Sequence, residues 1–221
     1  MANINKDFHQ LAPLLALKQM PDKFQAFFIA DGFTEEDLKR IADIPDLIDH
    51  DNIEQDPFCR HDHSYKMEIV NGQLTWTDGG VLERMKSLAE DARDFYMEGN
   101  YPMVRYSLAK ATHYCIDSKT FPHLSPGKPW SEYHAKFEDQ MAVFLTKHQS
   151  EIGPIEFTAY KDVIGDSDKI AKELWQVGQT MVKDYITGGR VSVEVAMDVC
   201  RRCVKAVGDL WLTVAEELKL S

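Results

Sequence analysis

The chain has 221 residues, 44% apolar and 28% charged, with a formal net charge of -11, long enough for one sizeable core. So acidic a balance argues against a polyanion held by bulk electrostatics, and no stable nucleic-acid complex is expected. A small phosphate ester stays open, because a bound cation can neutralise it locally.

No apolar run approaches the roughly 20 residues of a membrane span. The start, "MANINKDFHQ", lacks the basic and apolar stretches of a secretory leader. As written the chain reads as cytoplasmic, although a secreted protein trimmed of its leader would read the same way. In "DFHQLAPLLAL" the neighbours of His9 (Leu11, Ala12, Leu14, Leu15) mark a core-facing segment, and a lone His there reads first as a hydrogen-bonded core histidine. In "MPDKFQAFFIADGF", Pro21 and Asp22 open a short helix that Gly32 closes. "TEEDLKRIADI" predicts a second, with Thr34 as N-cap, acids in its first turn and an end before Pro45. Residues 46–64 are polar and too long for an idle connection; they hold Asp46, Asp49, His50, Asp51, His61, Asp62 and His63.

"YKMEIVNGQLTWT" alternates on both sides of Asn71-Gly72, which predicts a β-hairpin over 65–77. Helices follow from about Val81 to Met97 and from about Pro102 to Asp117. Pro122, Pro126, Gly127 and Pro129 predict a loop, and helices near 130–148, 166–186 and 191–219 complete the chain. Cys200 and Cys203 form a CxxC, but they fall inside one long helical pattern and read as helix packing rather than a zinc or redox pair. The fold class is all-α: a single multi-helix domain over 1–221 with a small hairpin.

One window concentrates the chemistry. "HYCIDSKTFPHLSPGKPWSEYHAKFE" holds His113, His123 and His134, with Asp117 four residues after the first and Glu138 four after the last. On a helix such pairs share a face, so each can offer an imidazole nitrogen and a carboxylate oxygen to one cation, the donor types that suit zinc. Leu108, His113, Ile116 and Asp117 fall within one sector, which turns these polar groups inward, and burying them is costly unless they are paired or bound to metal. A solvated i,i+4 contact is the plain alternative for either pair alone. Two pairs flanking a loop His favour a metal cluster between helices.

The run His113, Asp117, His123, His134, Glu138, with the words "HYCID" and "YHAKFE", resembles the signature of the zinc-dependent phospholipase C and single-strand-specific nuclease superfamily, which carries "HYxxD" and "YHxKFE". A His near the N-terminus, a "PD" acid and a later His follow in the same order. The resemblance implies an all-α fold with three metal ions in a cleft, and two or three zinc ions are expected here. His113 and Asp117 would join Asp46 and one of His61 or His63; Asp117 would bridge to a second ion held by His9 and the N-terminal amine; His123, His134 and Glu138 would hold the third. The chain departs from the family in two places. Met1, or Ala2 once Met1 is removed, stands where the family exposes a Trp, and Pro122 directly precedes His123 instead of standing two residues before it.

Zinc lowers the pKa of bound water from about 15.7 to about 7, so the expected activity is that of a zinc-dependent phosphoric ester hydrolase. It would cleave a phosphodiester, phospholipase C-like, with a zinc-bound hydroxide and Asp46 as ligand and general base. The expected partner is a small phosphate-ester substrate, a lipid headgroup or a nucleotide. Arg105, eight residues before His113, could reach a phosphate, though a solvated guanidinium is the plainer reading. Two rival readings are an HD-type phosphohydrolase, resting on the dipeptide His61-Asp62, and a non-catalytic helical binding domain on the same fold.

Overall fold

A computed structural model of the chain describes residues 8–47, 65–71, 73–124, 128–160 and 191–221. The architecture is all-α with one small antiparallel hairpin. The first helix, α1 (Phe8–Leu17), buries Phe8, His9, Ala12 and Leu14. Helix α2 (Asp22–Phe28) is short and follows Pro21. Helix α3 (Glu35–Ala42) begins with a reciprocal cap, in which Thr34 Oγ1 accepts from Asp37 N and Asp37 Oδ2 accepts from Thr34 N. That satisfies two of the amide donors a helix start leaves over. A single turn, α4 (Ile44–Leu47), follows.

Strands β1 (Tyr65–Val70) and β2 (Gln73–Asp78) pair with Val70 opposite Gln73. The hairpin therefore reverses where expected, with Asn71 at φ 52° in the left-handed region its short amide side chain tolerates. Helix α5 (Val81–Met97) ends at Gly99, whose φ of 74° reverses the chain into α6 (Tyr101–Asp117). A 3₁₀ turn (Phe121–Leu124) leads to α7 (Lys128–His148), and α8 (Val193–Glu217) carries the N-cap Ser192. Residues 166–186, expected as a helix, lie outside the described residues.

Helix α6 is the axis of the molecule. It packs against α1, α3, α5 and α8, and from Arg105 to Asp117 only Tyr106 is not buried. A helix enclosed on all sides must satisfy every polar group from its neighbours. Trp211 of α8, fully buried against Phe24 and Phe28, donates its indole N–H to the Leu108 carbonyl at 3.1 Å. Arg105, expected in solvent, is 2% exposed. Its guanidinium donates to the Phe27 carbonyl (2.8 Å) and Asp31 (2.9 Å) and lies over the Phe27 ring. This corrects the sequence reading: Arg105 fastens α2 to α6 at the end remote from His113.

The extended stretch 153–160 straps onto α8. Asp209, buried, accepts from Thr158 N (2.7 Å), the Tyr160 hydroxyl (2.9 Å) and Lys205 Nζ (2.9 Å). Phe157 sits so close to the α8 backbone at Gly208 that a side-chain carbon there would overlap its ring. Cys115, Cys200 and Cys203 are all free and buried, and burial pushes the Cys200 thiol up to about 12 and the other two well above their usual value. The CxxC is thus an ordinary buried helix face.

Candidate metal centre

Four elements converge at the C-terminal end of α6. Helix α1 supplies His9, α6 supplies His113 and Asp117 one turn apart, the 3₁₀ turn supplies His123, and α7 supplies His134 and Glu138. The ligand atoms of His9, His113 and Asp117 lie within 4.8 Å of one another, and so do those of His123, His134 and Glu138.

The two triads touch through their carboxylates. Asp117 Oδ1 is 2.9 Å from His9 Nε2 and 3.3 Å from His123 Nε2, while Oδ2 is 3.3 Å from His113 Nε2. Glu138 Oε1 lies 2.7 Å from His134 Nε2 and 3.9 Å from His9 Nε2. The His9 and His113 rings stack at 4.0 Å and 15°, and the His123 and His134 rings meet edge-on at 4.5 Å. Burial is graded: His9, His113 and Asp117 are 0% exposed, Glu138 14% and His134 35%. The cluster therefore opens to solvent on the His134 side.

The backs of two rings are held. His113 Nδ1 lies 2.9 Å from the Ala42 carbonyl at the end of α3, and a carbonyl only accepts. Nδ1 therefore carries a proton, and Nε2 is the nitrogen that faces Asp117. His123 Nδ1 lies 2.7 Å from Thr120 Oγ1. Gln10 donates to Asp43 at 3.1 Å, tying α1 to the end of α3.

The donors fit a zinc-sized cation. Tetrahedral zinc about 2.0–2.1 Å from each ligand places neighbouring ligand atoms about 3.3 Å apart, the value found for His113–Asp117, while His9–Asp117 is closer at 2.9 Å. His134 Nε2 and Glu138 Oε1 approach to 2.7 Å, closer than two ligands of one tetrahedral zinc stand.

Of the residues singled out in the sequence, His9, His113, Asp117, His123, His134 and Glu138 are brought into this one cluster. His61 and His63 lie outside the described residues, as does the side chain of Asp46, whose backbone belongs to α4 beside α6. The direct approach of His123 to Asp117 and the supports behind the rings, Ala42 and Thr120, are absent from the sequence reading. An i,i+3 Thr–His pair in a loop is too common to stand out.

No family model matches the chain, and no curated protein sequence matches it. Among solved structures, that of Clostridium perfringens alpha-toxin from an avian strain is similar with a TM-score of 0.56 at 14% identity, over 95% of this chain. The chain spans 63% of the toxin chain's length. At that identity the likeness is one of fold, and it places the all-α architecture beside that of the toxin.

Proposed function

We propose that the chain is a zinc-dependent hydrolase of phosphate esters, acting on a small phosphodiester in the manner of a phospholipase C. The observation that carries this reading is the pair of His/carboxylate triads joined through Asp117, the ligand atoms of each lying within 4.8 Å of one another. His9, His113 and Asp117 would hold one ion, and His123, His134 and Glu138 another. Asp46 and one of His61 or His63 are proposed to complete the set, for two or three ions. Bound zinc would supply a Lewis acid for the phosphoryl oxygens and an acidified water at neutral pH.

The chain's own residues do the rest. His113, its Nδ1 proton held by the Ala42 carbonyl, keeps Nε2 aimed at the centre. Asp117 offers one oxygen to His9 and His123 and the other to His113, so one carboxylate spans both triads. The wholly buried His9, His113 and Asp117 exclude water from the inner side, and substrate enters past the partly exposed His134. Asp46 is assigned the general base.

Elemental analysis of protein purified without chelator, paired with hydrolysis of bis(p-nitrophenyl) phosphate and p-nitrophenylphosphorylcholine, tests the reading. Two or three zinc ions per chain and chelator-sensitive turnover are expected. A chain that takes up no zinc when it is supplied overturns the proposal and leaves the helical binding domain.

A further inference from the structure

His113 and His123 each have their Nδ1 engaged, but by different kinds of partner. Behind His113 stands a carbonyl, which fixes the proton by chemistry alone. Behind His123 stands a hydroxyl, Thr120 Oγ1 at 2.7 Å, which can donate or accept. The direction of that one bond decides whether His123 turns a lone pair or an N–H toward Asp117 Oδ1, 3.3 Å from its Nε2.

A second contact offers the hydroxyl proton another acceptor. Thr120 Oγ1 also lies 3.3 Å from the Asp117 backbone carbonyl, which has no proton to give. With the hydroxyl proton directed there, Oγ1 accepts from His123 Nδ1–H, and Nε2 keeps its lone pair toward the cluster. The turn that carries this relay is held on both sides. Thr120 is 1% exposed, Tyr65 of β1 donates its hydroxyl to the Ser118 carbonyl at 3.1 Å, and Ser118 Oγ donates to the Cys115 carbonyl at 2.8 Å.

We infer that Thr120 is a positioning residue for the metal centre: its hydroxyl fixes the tautomer and aim of His123, and the 3₁₀ turn and Tyr65 hold Thr120 in place. The inference rests on the metal-centre reading above and adds to it the residue that makes the His123, His134, Glu138 triad competent. Outer-shell hydrogen bonds of this kind tune metal affinity by about 10- to 100-fold.

The test compares Thr120→Val, which keeps the shape and removes the acceptor, with Thr120→Ser, which keeps the hydroxyl. Zinc affinity is read by competition with a chromophoric chelator, and the His123 ring nitrogens of the zinc-free protein by long-range proton–nitrogen NMR. Expected are a loss of about 10- to 100-fold at a single ion in Thr120→Val, affinity within about threefold of the natural chain in Thr120→Ser, unchanged far-UV circular dichroism in both, and an Nδ1–H ring in the natural chain that becomes mixed in Thr120→Val. Thr120→Val binding every ion as before, a loss spread equally over all ions, or Thr120→Ser as weak as Thr120→Val would each overturn the inference. If the natural chain takes up no zinc, the metal reading fails separately, and the ring decides: Nδ1–H lost in Thr120→Val supports the role of Thr120, and Nε2–H in the natural chain refutes it.

Discussion

His9 Nε2 lies 2.9 Å from Asp117 Oδ1, with both side chains fully buried and the two residues 108 positions apart in the chain. A carboxylate enclosed in protein must be paired or bound to metal, and this contact pins the first helix to the end of the central one. His9→Ala is therefore expected to destabilise the metal-free chain by about 3 kcal/mol, read by urea denaturation in chelator, and to lower zinc content as well. A stability within about 0.5 kcal/mol of the natural chain would mean that the pair holds nothing together.

Asp117 touches His9, His113 and His123, whereas His134 pairs with Glu138 alone among the two carboxylates. Asp117→Asn is expected to weaken every ion in the cluster, and His134→Ala to remove about one. Elemental analysis of both variants after identical purification checks the ordering. Equal losses would mean that Asp117 does not join the triads.

Removing the metal is expected to lower stability, because an ion bound only by the folded chain stabilises it by mass action. Free zinc at about 100 times its dissociation constant adds about 2.7 kcal/mol. Thermal melts with zinc and with chelator measure the difference, and coincident melts would contradict binding by the folded state.

Gly208→Ala is expected to cost about 1–3 kcal/mol and leave zinc content unchanged, since the added methyl group would meet Phe157 rather than the cluster. Faster proteolysis within 153–160 would report that the strap has lifted from Asp209. The urea midpoint of the variant, set beside its zinc content, separates strap from site.

The three buried thiols set an alkaline limit. An unfolded thiol loses its proton near 9.0, whereas the folded chain holds the Cys200 proton to about 12. Groups whose folded pKa is raised contribute stability that is complete below the unfolded value and lost as pH rises toward the folded one. Stability should therefore fall steadily above pH 9, and a thiol reagent should leave Cys115, Cys200 and Cys203 unlabelled until the chain is denatured. Urea titrations from pH 8 to 11, with labelling in Cys59→Ser, check both.

Local features were legible because their causes are local. The Thr34 cap, the hairpin about Asn71 and the facing pairs His113/Asp117 and His134/Glu138 follow from spacings of two to four residues. The expected loop before residue 130 is shorter than read. Pro129 lies in the first turn of α7, where its missing N–H costs nothing. Arg105 was misread because its partners, Phe27 and Asp31, are more than 70 residues away, and no helical period points to them. His9 shows the same limit: its neighbours marked it as buried, and only the family resemblance tied it to Asp117.

The span between His9 and Asp117 also orders events during synthesis. At about 5–20 residues per second, Asp117 leaves the ribosome roughly 5–20 s after His9, and Glu138 a little later. Until then Phe8, Leu14 and Leu17 of the first helix have no central helix to lie against. The full cluster cannot assemble before well over half of the chain exists, and until then α3 is the neighbour that α1 can pack against. Loading of the ion would then be a late event, marking the completed chain.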